Sequence, residues 1–92
     1  MLHVTTAKYK GDYKIWIQFS TGESGIVDLE DDLWGPMFEP LKDKEKFKRF
    51  HVSKVLHTLV WDNGADLAPE HLYQKLSHKS LQPTLVDSGD RG

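Results

Sequence analysis

Four carboxylates, Asp28, Glu30, Asp31 and Asp32, crowd into five positions of this 92-residue chain. Such a cluster is the kind that holds a hard divalent cation or divides acid and base roles in catalysis. A calcium loop needs oxygen ligands at fixed offsets, a glycine at the bend and a distal glutamate, and that pattern is absent. The expected role is the capping of a helix N-terminus, with the neighbouring carboxylates solvated. No metal site is expected.

The other chemically capable residues are scattered. His3, His51, His57, His71 and His78 include no pair at the i, i+4 spacing of a helical zinc site. His51 and His57, if they share a strand, stand roughly 20 Å apart and cannot hold one ion. His57 is expected to be a half-buried sheet residue. Ser20, Ser24, Ser53 and Ser77 lie outside any nucleophile-elbow context, and no glycine-rich phosphate loop is present. There is no cysteine, hence no thiolate nucleophile, disulfide or Cys-ligated metal. No catalytic residue and no cofactor are expected, and the chain reads as a non-enzyme. An enzyme would have to gather Asp28 or Asp66 with a histidine in a concave site.

Charge is unevenly placed although the net formal charge is only −2. Ser20 to Pro40 carries six carboxylates and no lysine or arginine, whereas Leu41 to Val60 carries six cations against Asp43 and Glu45. Within the second block, Lys42, Lys44, Lys46, Lys48 and Arg49 lie on an expected short helix and could contact phosphates. Asp43 and Glu45 dilute that surface, and no helix-turn-helix follows it.

These residues must be positioned by a small set of elements, and the run from Trp61 to Tyr73 says most about them. Asn63-Gly64 supplies the positive φ of a tight hairpin turn. Pro69 occupies a first helical position with Glu70 behind it, at the positive end of the helix dipole. Asp66, between turn and helix, either accepts from local amides or acts as a recognition group beside Trp61 and Tyr73.

Leu2 to Tyr9 reads as a first strand, broken at Lys10-Gly11-Asp12. Asp12 to Phe19 alternates most clearly: Tyr13, Ile15, Ile17 and Phe19 share a core face, opposite Asp12, Lys14, Trp16 and Gln18. Trp16 on the polar face is covered by a loop or the tail, or else meets a partner. Glu23 to Leu29 is a third strand, and a helical turn is expected near Asp31–Trp34. Leu33, Trp34, Met37 and Phe38 are too apolar for a free loop and should mostly pack on the sheet. Asp43 caps a short helix through Phe50. Val52 to Trp61 reads as one central strand, apolar on both faces. Ala65 to Ala68 is a short return strand, and Pro69 to Leu76 a helix with Leu72, Tyr73 and Leu76 inward.

The architecture expected is α+β: an antiparallel sheet of four to five strands with two short helices packed on one face. Residues 1–76 form a single domain, and residues 77–92 a mobile tail with Leu81, Leu85 and Val86 as anchors. Hydrophobic residues at 38% and charged residues at 28% give a water-soluble balance. No apolar run approaches the roughly 20 residues of a membrane span. No secretory signal is visible, so a cytoplasmic location with no membrane partner is expected.

The Trp61–Tyr73 run resembles the signature of a bacterial family of short proteins known as domain of unknown function 2442. Tyr13 to Phe19 followed by Thr21-Gly22 is similar to its hairpin, Val27-Asp28-Leu29 to its acidic strand end, and Pro40-Leu41-Lys42-Asp43 with Phe47 to its central connection. The resemblance spans roughly residues 2–76. It implies a small α+β domain, in some members fused to a helix-turn-helix domain and in others set beside a second small protein in a toxin–antitoxin-like arrangement. It implies no catalytic residue. The sixteen residues after Leu76 are too few for a helix-turn-helix, which favours the stand-alone type.

The functional expectation is a non-enzymatic module that binds another small protein, as an antitoxin-like or regulatory partner. Trp16, Trp34, Trp61, Asp66 and Tyr73 are the expected contacts, because aromatic side chains dominate interface energetics. Homodimerisation through an edge strand or the aromatic face is a further expectation. The alternative is a nucleic-acid-binding regulator acting through Lys42, Lys44, Lys46, Lys48 and Arg49.

Overall fold

The computed structural model describes residues 2–76; the expected tail and its anchors lie outside the described residues. Three strands open the chain, β1 (Val4–Tyr9), β2 (Lys14–Phe19) and β3 (Ser24–Asp28), and they form an antiparallel meander in that order. The alternation in β2 works as read. Ile15, Ile17 and Phe19 are fully or almost fully buried and Tyr13 packs at the margin of the core. Each such apolar side chain removed from water contributes about 1.5–3 kcal/mol.

The chain then leaves the sheet through a 3-10 turn at Glu30–Asp32 and a second at Glu39–Lys42. Helix α1 (Lys44–Phe47) follows and is shorter than expected. Asp43 caps it, accepting the Glu45 amide at 2.9 Å. Phe47 closes α1 and is fully buried, with ring centroids of Tyr13 at 5.3 Å and Trp61 at 5.9 Å.

One sequence expectation fails here. Val52 to Trp61 is not a continuous central strand but a hairpin, β4 (His51–Ser53) and β5 (Thr58–Val60), paired antiparallel as a separate two-stranded sheet. The break is local chemistry. The Ser53 hydroxyl accepts from the amides of Val55 (3.2 Å) and Leu56 (3.0 Å), and the Ser53 carbonyl accepts from His57 at 2.8 Å. These bonds offer the backbone an alternative to the ladder. Val55 and Leu56 are consequently exposed, at 84% and 54%. His57 turns the chain with φ +58°, so it is a turn residue rather than a sheet residue.

The hairpin is fastened to the first sheet by the Val4 amide, which donates to the His57 carbonyl at 2.9 Å. The rings of His3 and His57 stack 3.9 Å apart. The expected return strand at Ala65–Ala68 reduces to one bridge, Val60 to Asp66. Residues 69–76 form α2. Leu72 and Leu76 are buried and Tyr73 packs against the core, its ring edge-on to Phe19 at 5.3 Å. The class is therefore α+β with antiparallel pairing throughout. Its five strands are divided between two sheets, and no helix among the described residues is long and apolar enough to cross a membrane.

Candidate functional site

The segment after the first 3-10 turn, Leu33 to Phe38, leaves two large apolar side chains uncovered beside the core. Leu33 is buried and anchors it. Trp34 is 72% exposed and Met37 45% exposed. Together with Gly35, Pro36 and Phe38 on one side and Leu67 and His71 on the other, they line a groove of about 410 Å³, with Asp32 at its edge.

Two tethers hold this groove open in one shape. Asn63, in the turn before α2, donates from Nδ2 to the Met37 carbonyl at 2.8 Å while its Oδ1 accepts the Ala65 amide at 3.1 Å. Asp32 ties the acidic turn to α2: Oδ1 meets His71 Nε2 at 2.7 Å, and Oδ2 meets the Lys75 ammonium at 3.0 Å. The Asp32 side chain is only 15% exposed, whereas the His71 imidazole is 43% exposed, so the contact is shielded on the carboxylate side and partly open on the imidazole side. His71 and Lys75 sit four apart and therefore share one helix face. That spacing was the available signal. Asp32 lies 39 residues from His71, and nothing local joins them.

A carboxylate on an imidazole can orient a general base. Here the second carboxylate oxygen is engaged by Lys75, and the groove lining contributes no serine, threonine, cysteine or tyrosine as nucleophile. The arrangement serves as a clamp between the acidic turn and α2. Asp28 accepts the Glu30 amide at 3.0 Å, and Asp66 is exposed and bridged to Val60; neither meets a histidine among the described residues. No cluster of three or more metal-ligating side chains occurs among the described residues.

The remaining aromatic candidates are scattered across the molecule. Trp61 is 3% exposed, and its Nε1 donates to the Phe47 carbonyl at 2.8 Å, so it builds the core and offers no contact surface. Trp16 is half-buried on the outer face of the first sheet, with the Lys8 ammonium 5.9 Å from its ring centroid. Tyr73 donates its hydroxyl to Glu23 on the β2–β3 turn. Only Trp34 lies in the groove.

The basic segment is largely paired. Lys42 meets Glu39 at 3.5 Å, Lys44 meets Asp12 at 3.1 Å and Lys48 meets Glu45 at 3.1 Å. The Lys44 hydrogen bond holds the Asp12 carboxyl below its ordinary range, and Lys44 is raised in return. Among the described residues Lys46 and Arg49 have no ion pair, and they line a second hollow of about 300 Å³ with Pro40, Leu41, Asp62 and Asn63.

Residues 4–77 match the family model described as protein of unknown function, DUF2442. The chain belongs to the DUF2442 family. No curated protein matches this DUF2442 chain. Among solved structures it is similar to the crystal structure of "Putative DNA Binding Protein NE0471" from Nitrosomonas europaea ATCC 19718, at TM-score 0.75 and 24% identity over 87% of this chain. The match covers 52% of the Nitrosomonas protein, so the DUF2442 chain spans about half that protein's length. At this identity the likeness concerns the fold.

Proposed function

We propose that this DUF2442 chain is a non-catalytic interaction module that binds a second small protein, as an antitoxin-like or regulatory partner, through the Trp34–Met37 groove. The supporting observation is Trp34 itself, 72% exposed on a segment held in place by the Asn63 and Asp32 tethers. A large exposed aromatic on a pre-shaped surface loses little conformational freedom on binding and buries much area. Affinity capture from the native host tests this reading in parallel with wild-type and Trp34→Glu chains. The wild type should retain one small protein in stoichiometric amount, and the variant, with unchanged circular dichroism, should lose it. Equal capture by both chains overturns the assignment of the groove.

A second reading, nucleic-acid binding, is favoured by the description of the Nitrosomonas protein and by the basic segment. On this reading Lys46 and Arg49 carry the phosphate contacts, since the other cations are engaged. Affinity for duplex DNA should then fall steeply with salt, and Lys46→Glu with Arg49→Glu should abolish it. Affinity indifferent to both changes removes this reading.

A further inference from the structure

Among the described residues, strand β3 lies at an edge of its sheet with nothing paired to its outer side. In the β2–β3 ladder the Phe19 amide donates to the Glu23 carbonyl at 2.8 Å and the Leu29 amide to the Tyr13 carbonyl at 2.9 Å. Bonded pairs alternate along an antiparallel ladder. Gly25, Val27 and Leu29 therefore turn their backbone groups toward β2, and Ser24, Ile26 and Asp28 turn theirs outward. The order β1-β2-β3 leaves no strand of the described residues on that outer side. The outward N–H and C=O groups of Ser24, Ile26 and Asp28 make no backbone bond to any described residue. On the other edge of the sheet, the Val4 amide of β1 donates to the His57 carbonyl of the hairpin.

We infer that β3 pairs with β3 of a second copy of this chain, antiparallel about a two-fold axis at Ile26. Three observations favour a second copy over an unrelated strand. First, the outward residues are self-complementary. With Ile26 opposite itself, Ser24 falls opposite Asp28 of the second copy on both sides. A hydroxyl then meets a carboxylate, and no two like charges face each other. Second, the row across the sheet is Lys8–Trp16–Ile26 by register, and Ile26 is 38% exposed at its open end. The two-fold axis joins two such rows into one apolar stripe, Trp16–Ile26–Ile26–Trp16, closed at each end by the lysine over its indole. Third, neither a proline nor a lysine lies between Ser24 and Asp28 to block such pairing. The inference goes beyond the partner groove, because β3 contributes nothing to the groove lining.

The test uses the purified chain alone. Sedimentation from low micromolar to millimolar concentration should show a reversible monomer–dimer equilibrium. Ile26→Lys places two ammonium groups face to face and should weaken the dimer by at least tenfold. Hydrogen exchange on the wild type provides a signature independent of any variant. Raising the concentration should protect the amides of Ser24, Ile26 and Asp28, while those of Gly25 and Val27 stay protected throughout. A chain that remains monomeric over the whole range overturns the proposal. So does a dimer in which the Ser24, Ile26 and Asp28 amides exchange as fast as in the monomer.

Discussion

The indole Nε1 of Trp61 donates to the main-chain carbonyl of Phe47 across 2.8 Å, in the interior of the molecule and 14 residues apart in sequence. Phe47 ends α1, so its carbonyl has no helical partner of its own. One side chain thus satisfies a helix terminus and fills the core between α1 and the Asn63-Gly64 turn. Trp61→Phe keeps an aromatic ring against Phe38, Phe47 and Phe50 but strands the carbonyl, at an expected cost of about 1–3 kcal/mol. Trp61→Ala adds a cavity and should cost about 3–5 kcal/mol. Urea denaturation midpoints of the two variants test this ordering; an unchanged midpoint for Trp61→Phe would show that the hydrogen bond adds nothing, and equal losses would show that the cavity adds nothing.

The Asp32 clamp predicts selective loosening of α2. Asp32→Ala leaves His71 and Lys75 without their shared carboxylate. The imidazole side is partly open to solvent, so the expected loss is about 1–2 kcal/mol. Amides of residues 69–76 should then exchange faster while those of β2 are unaffected. A uniform increase across both elements would contradict the local role.

Close approach at Gly25 predicts non-additivity. A Cβ built there would lie 2.3 Å from Leu76 Cδ1, so the leucine must move. Gly25→Ala should cost no more than about 1 kcal/mol through overpacking, because the colliding methyl ends a side chain that can rotate away. Combined with Leu76→Ala, the added penalty of the glycine change should nearly vanish, because the colliding methyl is gone. Additive losses in the double variant would show that the contact is not the cause.

Stability should depend on pH in three windows of known sign. His3 lies below its ordinary pKa of 6.5, through desolvation first and the charge of the stacked His57 second. A depressed folded pKa means the unfolded chain binds the proton more tightly, so this contribution is complete above pH 6.5 and is lost as pH falls below it. Asp12 behaves alike from its ordinary 3.8 downward, because the Lys44 bond favours its charged form. Lys44 is raised, so its share is complete below 10.5 and is lost as pH rises above it. Melting temperature against pH reads all three, and His3→Gln should flatten only the window below 6.5.

The elements with local signals were legible in the residues alone. The β2 alternation buries Ile15, Ile17 and Phe19; Asp43 caps α1; Asn63-Gly64 turns the chain; Pro69 opens α2. Each depends on side chains within a few positions of one another, which is the range over which steric and hydrogen-bond preferences act. Val52 to Trp61 shows where that range ends. Its apolar residues suit one strand, but the Ser53 hydroxyl and carbonyl capture the next amides and make a hairpin instead. The tertiary structure alone decided the candidate site. Trp61 and Trp34 are the same residue type, yet one is sealed in the core by Phe47 and the other stands in solvent. Asp32 acquires His71 and Lys75, and Met37 acquires Asn63, only after distant segments pack together. Contacts of that kind are set by which surfaces the core brings into register, a property that no single stretch of the chain contains.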